Sequence, residues 1–340
     1  MKHVPNPFFR ITSMFYRYQY CGLLLCILLH TFNAHADHDS LKEMQDADPA
    51  NFIFCSSMSI DGRILAICSD NGTVLWDIAN GKILHKYKGV LGSQFCLSSN
   101  GKQLVTDAGN GMVVLWNVDS GEKIKMFGDQ QGKLLAFALS SNGKFLIVTK
   151  KNESTAILWD IDNNKMLRKF DSGTQKITHV YLNHDGKLLV TSSKDGSSVL
   201  WNTVSGEKIQ TFAGLSKHIT SACLSSDAKL LVTVSFSGST TLWDVEKGVS
   251  IRNFGNNSNA ISWASLSSDG KYLVTGSITG PAILWDVAKG SYAQTFGGIN
   301  EIMHIACMSS DSKFVITISG KNSISLWDVA TGKKIDNFDN

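Results

Sequence analysis

Residues 219–254, ITSACLSSDAKLLVTVSFSGSTTLWDVEKGVSIRNF, hold four short apolar runs separated by polar, turn-forming residues. The runs 219–224, 229–235, 240–245 and 249–254 are rich in Val, Leu, Ile and Thr and too short for helices, so they read as strands a, b, c and d. Asp227-Ala228 stands where other copies of the unit carry Asp-Gly or Asn-Gly, pairs that accept the positive φ of a tight hairpin. Asp244-Val245-Glu246-Lys247-Gly248 supplies the polar break between c and d.

The unit recurs. Leu-Trp-Asp or Leu-Trp-Asn occurs seven times, with the indoles at Trp76, Trp116, Trp159, Trp201, Trp243, Trp285 and Trp327, at intervals of 40, 43, 42, 42, 42 and 42 residues. A second marker keeps step with it: Asp61-Gly62, Asn100-Gly101, Asn142-Gly143, Asp185-Gly186, Asp227-Ala228, Asp269-Gly270 and Asp311-Ser312. Of the eight tryptophans, Trp263 alone lies outside the series. A four-stranded unit of this size cannot bury both faces by itself, so such units stack radially and close into a ring. The innermost strands support this. Three residues before each hairpin marker stand Met58, Leu97, Leu139, Leu182, Leu224, Leu266 and Met308; one position earlier the residues are small apart from Tyr181. Alternate strand residues face opposite ways, so a bulky face meets a small one, as tapering units near a narrow axis require.

The Leu-Trp-Asp markers and their period resemble those of the WD-repeat (WD40) family over residues 51–340, about 85% of the chain. The resemblance implies an all-β fold, a seven-bladed β-propeller of four-stranded antiparallel blades, and a protein-binding scaffold as its role. It also implies a histidine hydrogen-bond network that this sequence lacks. The threonine of that network is retained as Thr106, Thr191, Thr233, Thr275 and Thr317; its turn acid survives as Asp70 and Asp195 and is softened to Asn110. The expected histidine position in blade 5 is Leu215. Threonine or backbone oxygens are therefore expected to accept from the indoles, since a buried indole N–H needs an acceptor. Closure departs from the family too. Residues 333–338 read as the last blade's own outer strand, so the ring closes by side-to-side packing, unless residues 41–44 pair with that blade instead.

Residues 1–36 differ from the rest of the chain. Lys2, Arg10 and Arg17 precede an apolar run at 21–32 (CGLLLCILLHTF) and then Ala34-His35-Ala36, the order of a secretory signal peptide cut between Ala36 and Asp37. The run is short for a membrane anchor, and Leu25 before Cys26 is too large for a lipoprotein signal. Residues 37–50 form a lead-in, and the product is expected to be periplasmic or secreted, monomeric, and without a membrane span. Cleavage removes three of the 32 basic residues and none of the 29 acidic ones, leaving a neutral chain. Without a basic run there is no electrostatic footprint for nucleic acid.

Enzymatic chemistry finds no motif: no G-x-S-x-G elbow, phosphate loop, metalloprotease helix or zinc spacing. The chain is read as non-enzymatic, with no cofactor and no metal, although Asp37, His38 and Asp39 could bind a transition metal weakly. The alternatives are a small-ligand site at the channel mouth near His179, Tyr181 and Trp263, or a hydrolase-like site using Asp171, His179 and Tyr181. For the protein-binding reading, the loops between b and c and between d and a carry apolar residues with no hairpin role, and Leu215, Phe236, Ile278 and Ile299 are the candidate partner contacts. Counting outward from Asp61-Gly62 places Cys55 opposite Cys68, close enough for a disulfide in an oxidising compartment or for two packed thiols.

Overall fold

A computed structural model describes residues 53–334, apart from 59–63, 70–71, 78–81, 88–94, 99, 174, 214–218, 236, 255–260, 268, 278–279, 299–302, 309–311 and 320–323. The signal segment 1–36 and lead-in 37–50 lie outside these residues. Among the described residues there are seven antiparallel sheets whose strands neighbour one another in chain order. Six have four strands and the last has three. In that last sheet Lys334 bridges Trp327, where a fourth strand would begin. In the fifth sheet the strands are Ile219–Leu224, Leu230–Ser235, Thr240–Asp244 and Val249–Phe254, within a residue of the sequence reading. No helix among the described residues is long and apolar enough to cross a membrane.

Burial runs from strand a to strand d. Every residue of Ile219–Leu224 is buried, whereas Val249–Phe254 buries only its last. Strand a is therefore inside and strand d outside. Successive sheets pack face to face through shared apolar clusters, one uniting the third sheet with the fourth through Ala138, Phe170, Val180, Leu182 and Trp201, another uniting the fourth with the fifth through Val190, Phe212, Leu224 and Trp243. The bulky inner residues Leu139, Leu182, Leu224 and Leu266 point to the preceding sheet, and Ala138 and Cys223 point to the following one, so large meets small as the alternation predicts.

Three local devices hold this arrangement. The first is the hairpin between a and b. In the fifth sheet the Ser225 hydroxyl donates to Asp227 at 2.6 Å, the Lys229 and Leu230 amides donate to Asp227 Oδ1 and Ser225 Oγ, and Ala228 takes φ 58°. The same bonds recur around Asn100, Asn142 and Asp269. The second is the residue after each tryptophan. Asn117, Asp160, Asn202, Asp244, Asp286 and Asp328 each accept a backbone N–H three residues ahead, which satisfies a turn amide and fixes the start of strand d.

The third device is the tryptophan. In five sheets its indole N–H donates to the strand-b threonine: Trp116 to Thr106, Trp201 to Thr191, Trp243 to Thr233, Trp285 to Thr275 and Trp327 to Thr317, at 2.8–2.9 Å. Threonine thus takes the acceptor role left open by the missing histidine. Each ring also receives an aromatic from strand d of the preceding sheet. Phe127, Phe170, Phe212, Phe254 and Phe296, all essentially inaccessible to solvent, meet Trp159, Trp201, Trp243, Trp285 and Trp327 at centroid separations of 5.5–5.8 Å. Tyr87 meets Trp116 at 4.7 Å.

Candidate functional site

Because the sheets are antiparallel, the loops joining b to c and d to a leave every sheet at the same end, and this end is the candidate interaction face. The four residues picked from sequence as partner contacts, Leu215, Phe236, Ile278 and Ile299, all lie outside the described residues, as do Ala36 and Asp37. The register sets Cys55 directly across from Cys68, as the turn count predicts, and Cys68 is buried.

The inner-strand residues His179, Tyr181 and Trp263 do not form one site. Tyr181 packs into the cluster between the fourth and fifth sheets, and Trp263 into the cluster between the sixth and seventh, its ring seated where any side chain at Gly276 would stand. His179 is 3% exposed, both ring nitrogens lack a partner, and burial pushes its pKa down to about 4. Beside it, the Thr178 hydroxyl donates to the Ile219 carbonyl at 2.8 Å and stitches the fourth sheet to the fifth. These large residues fill gaps between sheets. The grouping of Asp171 with His179 fails as well: Asp171 ends the exposed outer strand Lys165–Asp171 of the third sheet, whereas His179 is buried on the inner strand Ile177–Leu182 of the fourth. The Gly173 amide and the Ser154 hydroxyl hold the Asp171 carboxyl below its ordinary range, which is turn chemistry. Among the described residues no cluster of three or more His, Cys, Asp or Glu is placed to hold a metal.

The structure shows one feature at this end that the sequence reading did not single out, a cleft of about 220 Å³ between the second and third sheets. Gly128 and Asp129 form one wall; Val148, Ile157, Trp159 and Lys169 lie on the other. Lys150, nearly buried, closes the cleft's polar edge through a short hydrogen-bonded ion pair with Asp129, which lowers the Asp129 pKa. The cause is in the register. Trp159 pairs with Leu146, so the strand-b position that is threonine in five sheets is Val148 here, and the nearby Thr149 faces away and donates to the Thr155 carbonyl. The longer interval of 43 residues before Trp159 marks the same extra residue.

The comparisons with known proteins agree with this architecture. A family model described as "Outer membrane protein assembly factor BamB" (PQQ_2) matches residues 59–296. Human apoptotic protease-activating factor 1 is 32% identical over 84 residues, covering 22% of this chain and only 7% of that protein. The crystal structure of the Myceliophteria thermophila Cps50 (Swd1) β-propeller domain superposes with a TM-score of 0.70 at 16% identity, covering 82% of this chain and 96% of that one. The fold is therefore an all-β, WD40-like propeller of four-stranded antiparallel sheets, and with about 70% of its length matched the chain belongs to the PQQ_2 propeller family.

Proposed function

We propose that the chain is an exported, non-enzymatic, seven-bladed propeller that works as a monomer and holds a partner protein on the face formed by its b-to-c and d-to-a loops. Residues 1–36 are the signal peptide, 37–50 the lead-in and 51–340 the ring. The observation that carries the reading is the common exit of these loops from sheets interlocked by the aromatic and Trp–Thr contacts, because a stiff scaffold presenting variable loops is suited to recognition. The family description, an outer membrane protein assembly factor, supports an extracytoplasmic site of action and a partner engaged in building an envelope.

The test is affinity capture of the mature protein from its native compartment, paired with a Phe236→Asp, Ile278→Asp double variant whose circular dichroism matches the parent. A partner retained by the parent and lost from the variant supports the reading. Identical partners on both would refute the proposed patch. An N-terminal sequence beginning at Asp37 supports export, and one beginning at Met1 in the exported fraction overturns it.

A further inference from the structure

We propose that the cleft between the second and third sheets is a binding site for a small carboxylate with an apolar body. Two features distinguish this place from its counterparts. First, the other five sheets from the second to the seventh engage the indole N–H with a threonine, whereas in the third sheet Val148 occupies that position and the Trp159 N–H has no acceptor among the described residues. Trp159 and Val148 both line the cleft, and Trp159 is only partly buried. An indole donor beside apolar surface, open to solvent when the cleft is empty, can donate to an acceptor oxygen that enters it. Second, the register places Met166 beside Trp159 and Lys169 beside Ile157 on the same sheet face, and Lys169 is an exposed cation with no ion pair among the described residues. Lys150, by contrast, is already engaged by Asp129.

The site therefore offers one indole donor and one unpaired ammonium beside the apolar side chains of Val148, Ile157 and Met166, while the Glu153 carboxylate lines the cleft by Lys150. The indole donor and the ammonium suit an anionic head held clear of Glu153, and the apolar side chains suit its tail. A volume of about 220 Å³ is room for roughly seven waters, or for a compound of about ten non-hydrogen atoms. Such a ligand binds in the millimolar range, since few atoms are available to hold it.

The test uses phenylacetate as the probe and phenylacetamide as its uncharged match, followed on the full mature chain by the ¹⁵N-indole spectrum, with Trp159→Phe identifying the resonance. The expected result is a saturable shift of the Trp159 indole N–H with phenylacetate and at least tenfold weaker binding of phenylacetamide. Lys169→Gln should weaken phenylacetate at least tenfold. Val148→Thr, which restores the acceptor found in five other sheets, should do the same while leaving the other indole resonances in place. Should Trp159→Phe fail to fold, the latter two variants carry the test. No saturable shift, equal binding of the amide, or undiminished binding in Lys169→Gln or Val148→Thr would overturn the site. The outcome is independent of whether the loop face captures a protein partner.

Discussion

His179 shows how a single side chain gives the molecule a pH dependence. Its equivalents one and two repeats on are Ser221 and Trp263, and all three are buried with a polar atom that has no partner, so this inner position is filled for volume rather than for hydrogen bonding. The folded chain holds the imidazole neutral, with a pKa of about 4, while the unfolded chain protonates it near 6.5. Above pH 6.5 neither state takes the proton and nothing is lost. As pH falls from 6.5 to 4 the unfolded state gains a proton that the folded state refuses, and stability declines by ~3 kcal/mol before levelling off. His179→Met should abolish this decline, read as a urea midpoint that is flat across the same window. The turn aspartates act lower: the Ser225 hydroxyl and the Lys229 amide hold Asp227 below 3.8, so the stability they add is present above that value and disappears only as pH falls beneath it. A His179→Met midpoint that still falls between pH 6.5 and 4 would place the effect elsewhere. The sequence displayed His179 as an oversized residue, but it could not tell a gap-filler from a ligand, because that depends on which neighbouring sheet the ring faces.

At the scale of the element, the unit of cohesion is the aromatic contact from one sheet's outer strand to the next sheet's tryptophan. Phe212 sits against Trp243, fully buried, while the residues preceding it on its strand are largely exposed. Phe212→Ala removes that ring and leaves a cavity between sheets, costing about 3–5 kcal/mol as for other buried phenylalanines. Tyr87 tests the same contact in the opposite direction, since its hydroxyl is buried without a partner and burial raises its pKa to about 12. Tyr87→Phe should stabilise by about 1 kcal/mol, because an unsatisfied hydroxyl is removed and the ring is kept. Thermal denaturation of the two variants checks both signs. Strand order, hairpin chemistry and the Trp–Thr pairs were legible in the sequence because they are short-range and repeat in phase. The inter-sheet aromatic contact was missed, although its signal was there: Tyr87, Phe127, Phe170, Phe212, Phe254 and Phe296 each follow a tryptophan by eleven residues. The cleft was not foreseen, since seeing it requires the strand register that makes Val148, rather than Thr149, the residue beside Trp159.

The whole molecule depends on whether the last sheet meets the first by the same rule. Sheets one to six each form all four strands from consecutive sequence, so none lends a strand to a neighbour, and Lys334 already bridges Trp327 where the seventh would add its own outer strand. The eleven-residue interval continues from Trp327 to Phe338, and Trp76 of the first sheet is the tryptophan of the series with no such aromatic contact among the described residues. Phe338 lies outside the described residues, so the interval alone assigns it. If closure is side to side, Phe338→Ala should cost about as much as Phe212→Ala, about 3–5 kcal/mol, because an open ring exposes two sheet faces in place of one contact. Leu41→Asp and Met44→Asp should then leave the denaturation midpoint unchanged. The reverse pattern, a neutral Phe338→Ala with destabilising changes at Leu41 and Met44, would mean that the N-terminal segment supplies the closing strand and that the C-terminal residues are displaced from the last sheet.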